Sequence, residues 1–294
     1  MKPLEIQLMA DSASEISAEH AEQYRIEMIP MIVTEGDREY LDGVNFNSDD
    51  LLQGMSQGKM YKTTQIPLNT YLERFQKHAE TGRSLICFVL SSGLTGSYET
   101  AQMARNMILE DHPEADITVI DSKCASQGYG LLVLEVARYL AHCTPSKQEL
   151  LDYISYLQQH VVHLFTVEDM EFLYRGGRVS RVQAIIGGML GIKPMLDVSP
   201  EGKLRPFGKA RGTKNLIKGL TDEARKRIGT LDISKQTVCI SSGLDTTVQE
   251  AVRAFFESEY HVTDFIIQKI GATVGAHTGP YMCAFFFLDA APKR

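Results

Sequence analysis

The chain has 294 residues, 44% of them hydrophobic, which is enough for a substantial core in one or two domains and too apolar for a disordered polypeptide. Its formal net charge of −7 argues against nucleic acid as the main partner, because phosphate binding needs a basic surface. Five cysteines, scattered without a C-x-x-C pair and mostly inside apolar runs, point to reduced thiols in a cytoplasmic protein and away from a disulfide framework or a zinc site.

Glu5 to Ala10 reads as a first strand, ending in Asp11-Ser12-Ala13-Ser14, a turn rich in helix-capping side chains. A helix from about Ser17 to Tyr24 leads into Ile26 to Val33, read as one second strand, and then into the polar turn Glu35 to Arg38. Tyr40 to Gly43 is a short extended piece closed by an Asp-Gly turn, and Ser48 can cap a helix through Met55. Lys62-Thr63-Thr64-Gln65-Ile66-Pro67 reads as a hydroxyl-rich loop before a helix from about Asn69 to Glu80.

Leu85 to Leu90 is apolar without alternation, the pattern of a strand buried on both faces. Ser91-Ser92-Gly93-Leu94-Thr95-Gly96-Ser97-Tyr98 then reads as a loop opening a helix, whose free N–H groups and positive dipole end favour an anion. Two readings stay open there: the hydroxyls hold a ligand, or Ser92 or Thr95 only caps the helix. The next strand, Ile117 to Ile120, also closes with Asp-Ser, at Asp121-Ser122, and helices follow over Gly128 to Cys143 and Ser146 to Gln159. Strands alternating with helices of this length imply a parallel sheet, whose ligands lie beyond the strand carboxyl ends. The loops at Ser12, Thr63, Ser92 and Ser122 are therefore expected on one edge.

The pattern changes near residue 160. Val161 to Val167 is a strand, and Tyr174 to Ser180 is a basic glycine turn before a helix through about Leu190. Ile192 to Val198 and Lys203 to Phe207 flank the turn Ser199 to Gly202 and read as a hairpin. A helix over Thr213 to Ile228, a strand at Thr237 to Ile240, a helix over Thr246 to Ser258 and strands at Val262 to Ile267 and Met282 to Leu288 complete a second, α+β domain. The domains are expected at residues 1–159 and 160–294. Even the longest apolar run, Tyr281 to Leu288, is too short to cross a bilayer.

Gly271 to Pro280 carries three glycines and reads as an irregular loop that sets His277 beside Thr278. A serine esterase using Ser92 as nucleophile and His277 as base is one reading. The nucleophile-elbow pattern fails, however, because Leu90 stands where its first glycine belongs. No phosphate-loop or dinucleotide fingerprint occurs, nor do His or carboxylate pairs at metal-ligand spacing. Arg175, Arg178, Arg181, Lys203, Arg205, Lys209, Arg211, Lys214 and Lys218 form the one basic concentration. They are read either as a solvated face or, for the glycine-framed arginines, as a docking surface for an acidic partner or its nucleotide.

These segments, taken in order, resemble the DegV family, the fatty-acid-binding subunits of bacterial fatty acid kinase. The resemblance rests on Asp11-Ser12, Tyr40 to Gly43, Thr63-Thr64-Gln65, Ser91 to Tyr98, Asp121-Ser122, Gly176 to Ser180, Gly191 to Pro194, Lys209-Ala210-Arg211 and Gly275 to Pro280. It implies an α/β fold, with an N-terminal parallel-sheet, Rossmann-like domain and a C-terminal α+β domain that enclose one long-chain fatty acid such as palmitate, stearate or oleate. By the same analogy Thr63 and Ser92 hydrogen-bond the carboxylate, His277 supports it, Thr64 lies alongside, and no residue is catalytic. The ligand takes the place of any cofactor. A separate ATP-dependent kinase subunit would phosphorylate the bound acid for phospholipid synthesis, docking on a face that includes Arg175, Arg178, Lys209 and Arg211. The resemblance leaves room for transient membrane-surface contact, though not for an integral membrane segment.

An ionised carboxylate only accepts hydrogen bonds, so converging hydroxyls and an imidazole suit it. Burying about fifteen methylenes at roughly 0.8 kcal/mol each gives a gross term on the order of 12 kcal/mol, before ordering costs. The chain departs from the family pattern twice: Ile66 separates Gln65 from Pro67, and Tyr281 follows the final proline where glycine is usual.

Overall fold

A computed structural model describes residues 6–180 and 191–293. The helix expected through Leu190, and Arg181 of the basic cluster, lie outside the described residues. The first half opens with β1 (Ile6–Asp11), α1 (Ala18–Gln23) and β2 (Glu27–Ile29). A small antiparallel sheet follows, built from β3 (Ile32–Glu35), β4 (Arg38–Leu41) and β5 (Lys62–Thr64) in the order β4-β3-β5, with α2 (Ser48–Ser56) inserted before β5. Then come α3 (Leu68–Ala79), β6 (Ser84–Val89), α4 (Ser97–Asp111), β7 (Ile117–Asp121), α5 (Ser126–His142) and α6 (Lys147–His160).

The main sheet of this half is parallel, in the order β2-β1-β6-β7, and every residue of β6 is buried, as an apolar run without alternation requires. Three local expectations change. Ile26 to Val33 is two strands and not one, because Pro30, which has no N–H to donate, falls between β2 and β3 and sends them to different sheets. Lys62 to Thr64 is a strand and not a loop, its β-branched threonines pairing with Val33 and Ile32. Asn47, with Asp50 in a reciprocal capping box, caps α2 in place of Ser48.

The chain changes sheets after α6. β8 (Val161–Thr166), α7 (Glu171–Arg175), β9 (Ile192–Val198), β10 (Leu204–Arg211), α8 (Thr213–Ile228), β11 (Thr237–Ser242), α9 (Thr247–Tyr260), β12 (Asp264–Lys269), α10 (Ala272–Thr278) and β13 (Cys283–Leu288) build a mixed six-stranded sheet. Its order is β10-β9-β8-β13-β11-β12, antiparallel except between β11 and β12. Period-two alternation splits this sheet into two faces. Val162, Leu164, Phe285 and Phe287 join the core formed with Leu216, Leu220, Val252 and Phe256 of α8 and α9. Phe165, Ala284 and Phe286 point the other way and share one core with Leu8, Ile86 and Phe88 of the parallel sheet. Helix α5, buried from Ser126 to Ala137, packs on β8, β11 and β13 and so joins the two halves. Among the described residues no helix is long and apolar enough to cross a membrane.

Candidate functional site

Gly271 to Pro280 is a short helix, not an irregular loop. Gly271 is its extended N-cap, Gly279 ends it at φ 83°, and Gly275 is required by packing, since a Cβ there would lie 2.4 Å from Leu51. Ala272 and Ala276 seat α10 on Val33, Leu51 and Met55 of the first half. Asp42 fixes its start, accepting from the Thr273 N–H at 3.1 Å, the Thr273 hydroxyl at 2.5 Å and the Ser12 hydroxyl at 3.1 Å. That seating delivers His277 to β5, where its Nε2 lies 2.8 Å from Thr63 Oγ1. Burial, reinforced by the nearby Arg178 charge, pushes the imidazole down to about 3, so the ring is neutral at physiological pH.

Beside this pair lies a cavity of the concave, mostly apolar kind that small-molecule sites occupy. Met31, Leu90, Phe165, Leu173, Met282 and Phe286 give it apolar walls between the two sheets. Its polar end gathers Thr63, Thr64, Thr95, Arg178 and His277. Arg178 is half-buried, donates from Nε to the Leu94 carbonyl at 3.0 Å and from Nη1 to the Gly176 carbonyl, and has no acidic partner among the described residues. Burial alone pulls its guanidinium below the usual arginine range. Beyond His277 lies a second space lined by Thr34, Tyr61, Phe172, Arg175 and Gly176, so the imidazole borders both.

The two Asp-Ser strand ends brace one loop. Asp11 accepts the Leu90 N–H at 2.8 Å and the Ala13 N–H at 3.1 Å, while Asp121 accepts the Ser92 N–H at 2.9 Å and the Lys123 N–H at 3.2 Å. The loop after β6 is thereby held from both sides. Ser92 is not brought into the polar end of the cavity: its Oγ accepts from Lys123 Nζ at 3.0 Å, and that lysine pairs with Asp121 at 2.6 Å. Nor does Ser92 pair with His277, which bonds Thr63. Ser12 and Ser122 serve the scaffold, Ser12 through Asp42 and Ser122 through the Cys124 carbonyl at 3.2 Å, so the hydroxyl loops do not all converge on a ligand. Arg178, half-exposed, lines the cavity. Arg175 is exposed and paired with Glu171 at 2.7 Å, and Lys209 and Arg211 are exposed on the sheet-edge strand β10. Thr95, one hydroxyl among four in its loop, and Arg178 carry no sequence signal that would mark them as facing inward.

A buried acid ties the two halves together. Glu15 Oε2 accepts from Ser126 and Ser241 hydroxyls, each at 2.8 Å, and its Oε1 accepts the Gly271 N–H at 3.1 Å. Desolvation nevertheless pushes its carboxyl up to about 7.

Residues 5–290 match the family described as "Uncharacterised protein, DegV family". The chain is 33% identical over 291 residues to the DegV domain-containing protein YteA of Lactococcus lactis, covering 98% of this chain and 99% of that one. It is 32% identical to a DegV domain-containing protein of Clostridium perfringens, covering 96% of each. Among solved structures, a stearic acid-binding protein from Eubacterium ventriosum superposes with TM-score 0.84 at 27% identity, over 97% of this chain and 98% of that one. The fatty acid kinase B3 protein of Streptococcus pneumoniae, loaded with linoleic acid, shares the fold at TM-score 0.82 and 20% identity, over 97% and 99% of the two chains. Relatives with this fold carry bound fatty acids, and by sequence and by structure this chain belongs to the DegV family.

Proposed function

We propose that this protein binds one long-chain fatty acid, with its carboxylate among Arg178, His277, Thr63, Thr64 and Thr95 and its tail in the apolar cavity. One observation carries the reading: a half-buried guanidinium without an acidic partner among the described residues stands at the polar end of an apolar chamber. A buried charge without a counter-ion is costly, and an incoming carboxylate supplies one while its tail replaces water against hydrocarbon. The neutral imidazole holds Thr63 in place, and the Thr63 hydroxyl is then oriented for a second contact with the acid. In this reading the ligand lies between an N-terminal domain of residues 1–159 and a C-terminal domain of residues 160–294.

We further propose that the protein does no chemistry itself and presents the carboxylate, in the cytoplasm, to an ATP-dependent kinase subunit that makes the acyl phosphate for phospholipid synthesis. The second space beside His277 is bordered by exposed Arg175, and this is the side on which a second protein would meet the head group. Exposed Arg175, Lys209 and Arg211 supply positive charge for docking it. Protein purified from a bacterial host and then denatured should release fatty acid detectable by mass spectrometry. Adding ATP and a kinase subunit from the same genome should convert that acid to acyl phosphate. Absence of bound acid, together with no uptake of added palmitate, contradicts the binding; bound acid that no such kinase modifies contradicts the presentation.

A further inference from the structure

His163 takes no part in the polar end of the cavity, yet it is buried in the wall of the same chamber. It stands on β8 two residues before Phe165, on the same face, and so farther along the strand from Leu173 and Arg178. His163 and Val198 also line a separate groove whose walls include Lys123, Gln158, Ser199 and Arg205. These two side chains are the partition between an apolar chamber and a polar groove.

The ring is fixed on every side that matters. Its Nε2 accepts the Ala125 N–H at 3.2 Å, which places the proton on Nδ1, and Nδ1 donates to the Val161 carbonyl at 3.3 Å. Phe286 meets it edge-on with centroids 5.4 Å apart, and opposite Gly128 a Cβ would lie 2.3 Å from Nε2. Burial pushes the imidazole down to about 4, so it stays uncharged. A ring held in this way cannot swing aside for a longer ligand.

We propose that His163 and Val198 form the stop that sets acyl chain length, a methyl end that passes them meeting the imidazole or the polar groove. The inference rests on the fatty-acid reading and deepens it. Each methylene accommodated before the stop strengthens binding about fourfold, whereas one pushed beyond it leaves hydrocarbon for water and gains nothing.

The full chain, offered an equimolar excess of saturated acids of increasing even length, can be stripped of bound acid and the profile read by mass spectrometry. The parent should show a sharp upper limit. His163→Ala and Val198→Ala should move that limit to longer acids, enriching the next even length by about tenfold, and Val198→Phe should move it to shorter ones. Should His163→Ala fail to fold, because it leaves the Ala125 N–H without an acceptor, the two Val198 variants decide the matter. An unchanged profile in every folded variant, with a parent that binds acids, overturns the chain-length stop alone. A parent that binds none of the acids overturns the fatty-acid reading beneath it.

Discussion

Arg178 brings a positive charge to a place where water is scarce, and the account depends on what answers it. Arg178→Ala should weaken palmitate binding by about ten- to a hundredfold, the range for losing a charged hydrogen bond in a protected site. Arg178→Lys should recover only part of that loss, because an ammonium lacks the planar fork that grips a carboxylate while still reaching the Leu94 and Gly176 carbonyls. A binding titration checks both, and equal affinity in all three proteins removes Arg178 from the site. That this residue faces inward is not legible in the sequence: the two glycines before it read as a basic turn that fits a docking surface, and only the packing of α7 on α10 turns the side chain inward. The loop after β6 poses the same difficulty in another form. Its hydroxyl content is plain in the sequence, but which hydroxyl faces the ligand depends on Asp121, which captures the Ser92 N–H and leaves that serine beside Lys123, with Thr95 on the cavity wall.

Helix α10 is where local sequence and local structure part company. Three glycines in ten residues argue against a helix by propensity, yet two of them are its caps and the third is demanded by the approach of Leu51. Tertiary contact with the small sheet, invisible in a linear reading, decides the outcome. The consequence for His277 can be tested through its neighbour at the C-terminal cap of α7. A Cβ at Gly176 would stand 2.2 Å from His277 Nδ1, so Gly176→Ala should displace the ring from Thr63 and weaken acid binding by about tenfold. Gly177→Ala is the contrasting case. Nothing lies within 4 Å of that Cβ, but the backbone sits at φ 75°, so it should cost about 1 kcal/mol of stability and leave affinity alone. Denaturant melts and binding titrations on the two variants separate these effects; the opposite pairing of results contradicts the assignment.

At the scale of the whole molecule, alternating strands and helices made the parallel sheet legible, as did the change of pattern near residue 160. The insertion of β13 between β8 and β11, and the core that α5 shares between halves, were not, because strand order depends on contacts far apart in the chain. Glu15 spans that junction, and its titration should be visible in stability. A carboxyl raised to about 7 by folding contributes fully below its ordinary value of 4.5 and loses that contribution as pH climbs to about 7. His163 and His277, lowered to about 4 and about 3, act in the opposite sense, gaining as pH rises toward 6.5. They are common to parent and variant, so the difference in Tm between the parent and Glu15→Gln isolates the acid. That difference should shift in favour of the variant between pH 4.5 and 7, and a difference independent of pH contradicts the buried, proton-holding Glu15. The central claim, that this cavity recognises an acid by its charged head and a hydrocarbon by its tail, has a more direct test. Calorimetric titration of the delipidated protein with palmitate and with hexadecanol compares ligands that differ only in the head. The account predicts that palmitate binds at least about tenfold more tightly; equal affinity for the two, or no binding of either, would contradict it.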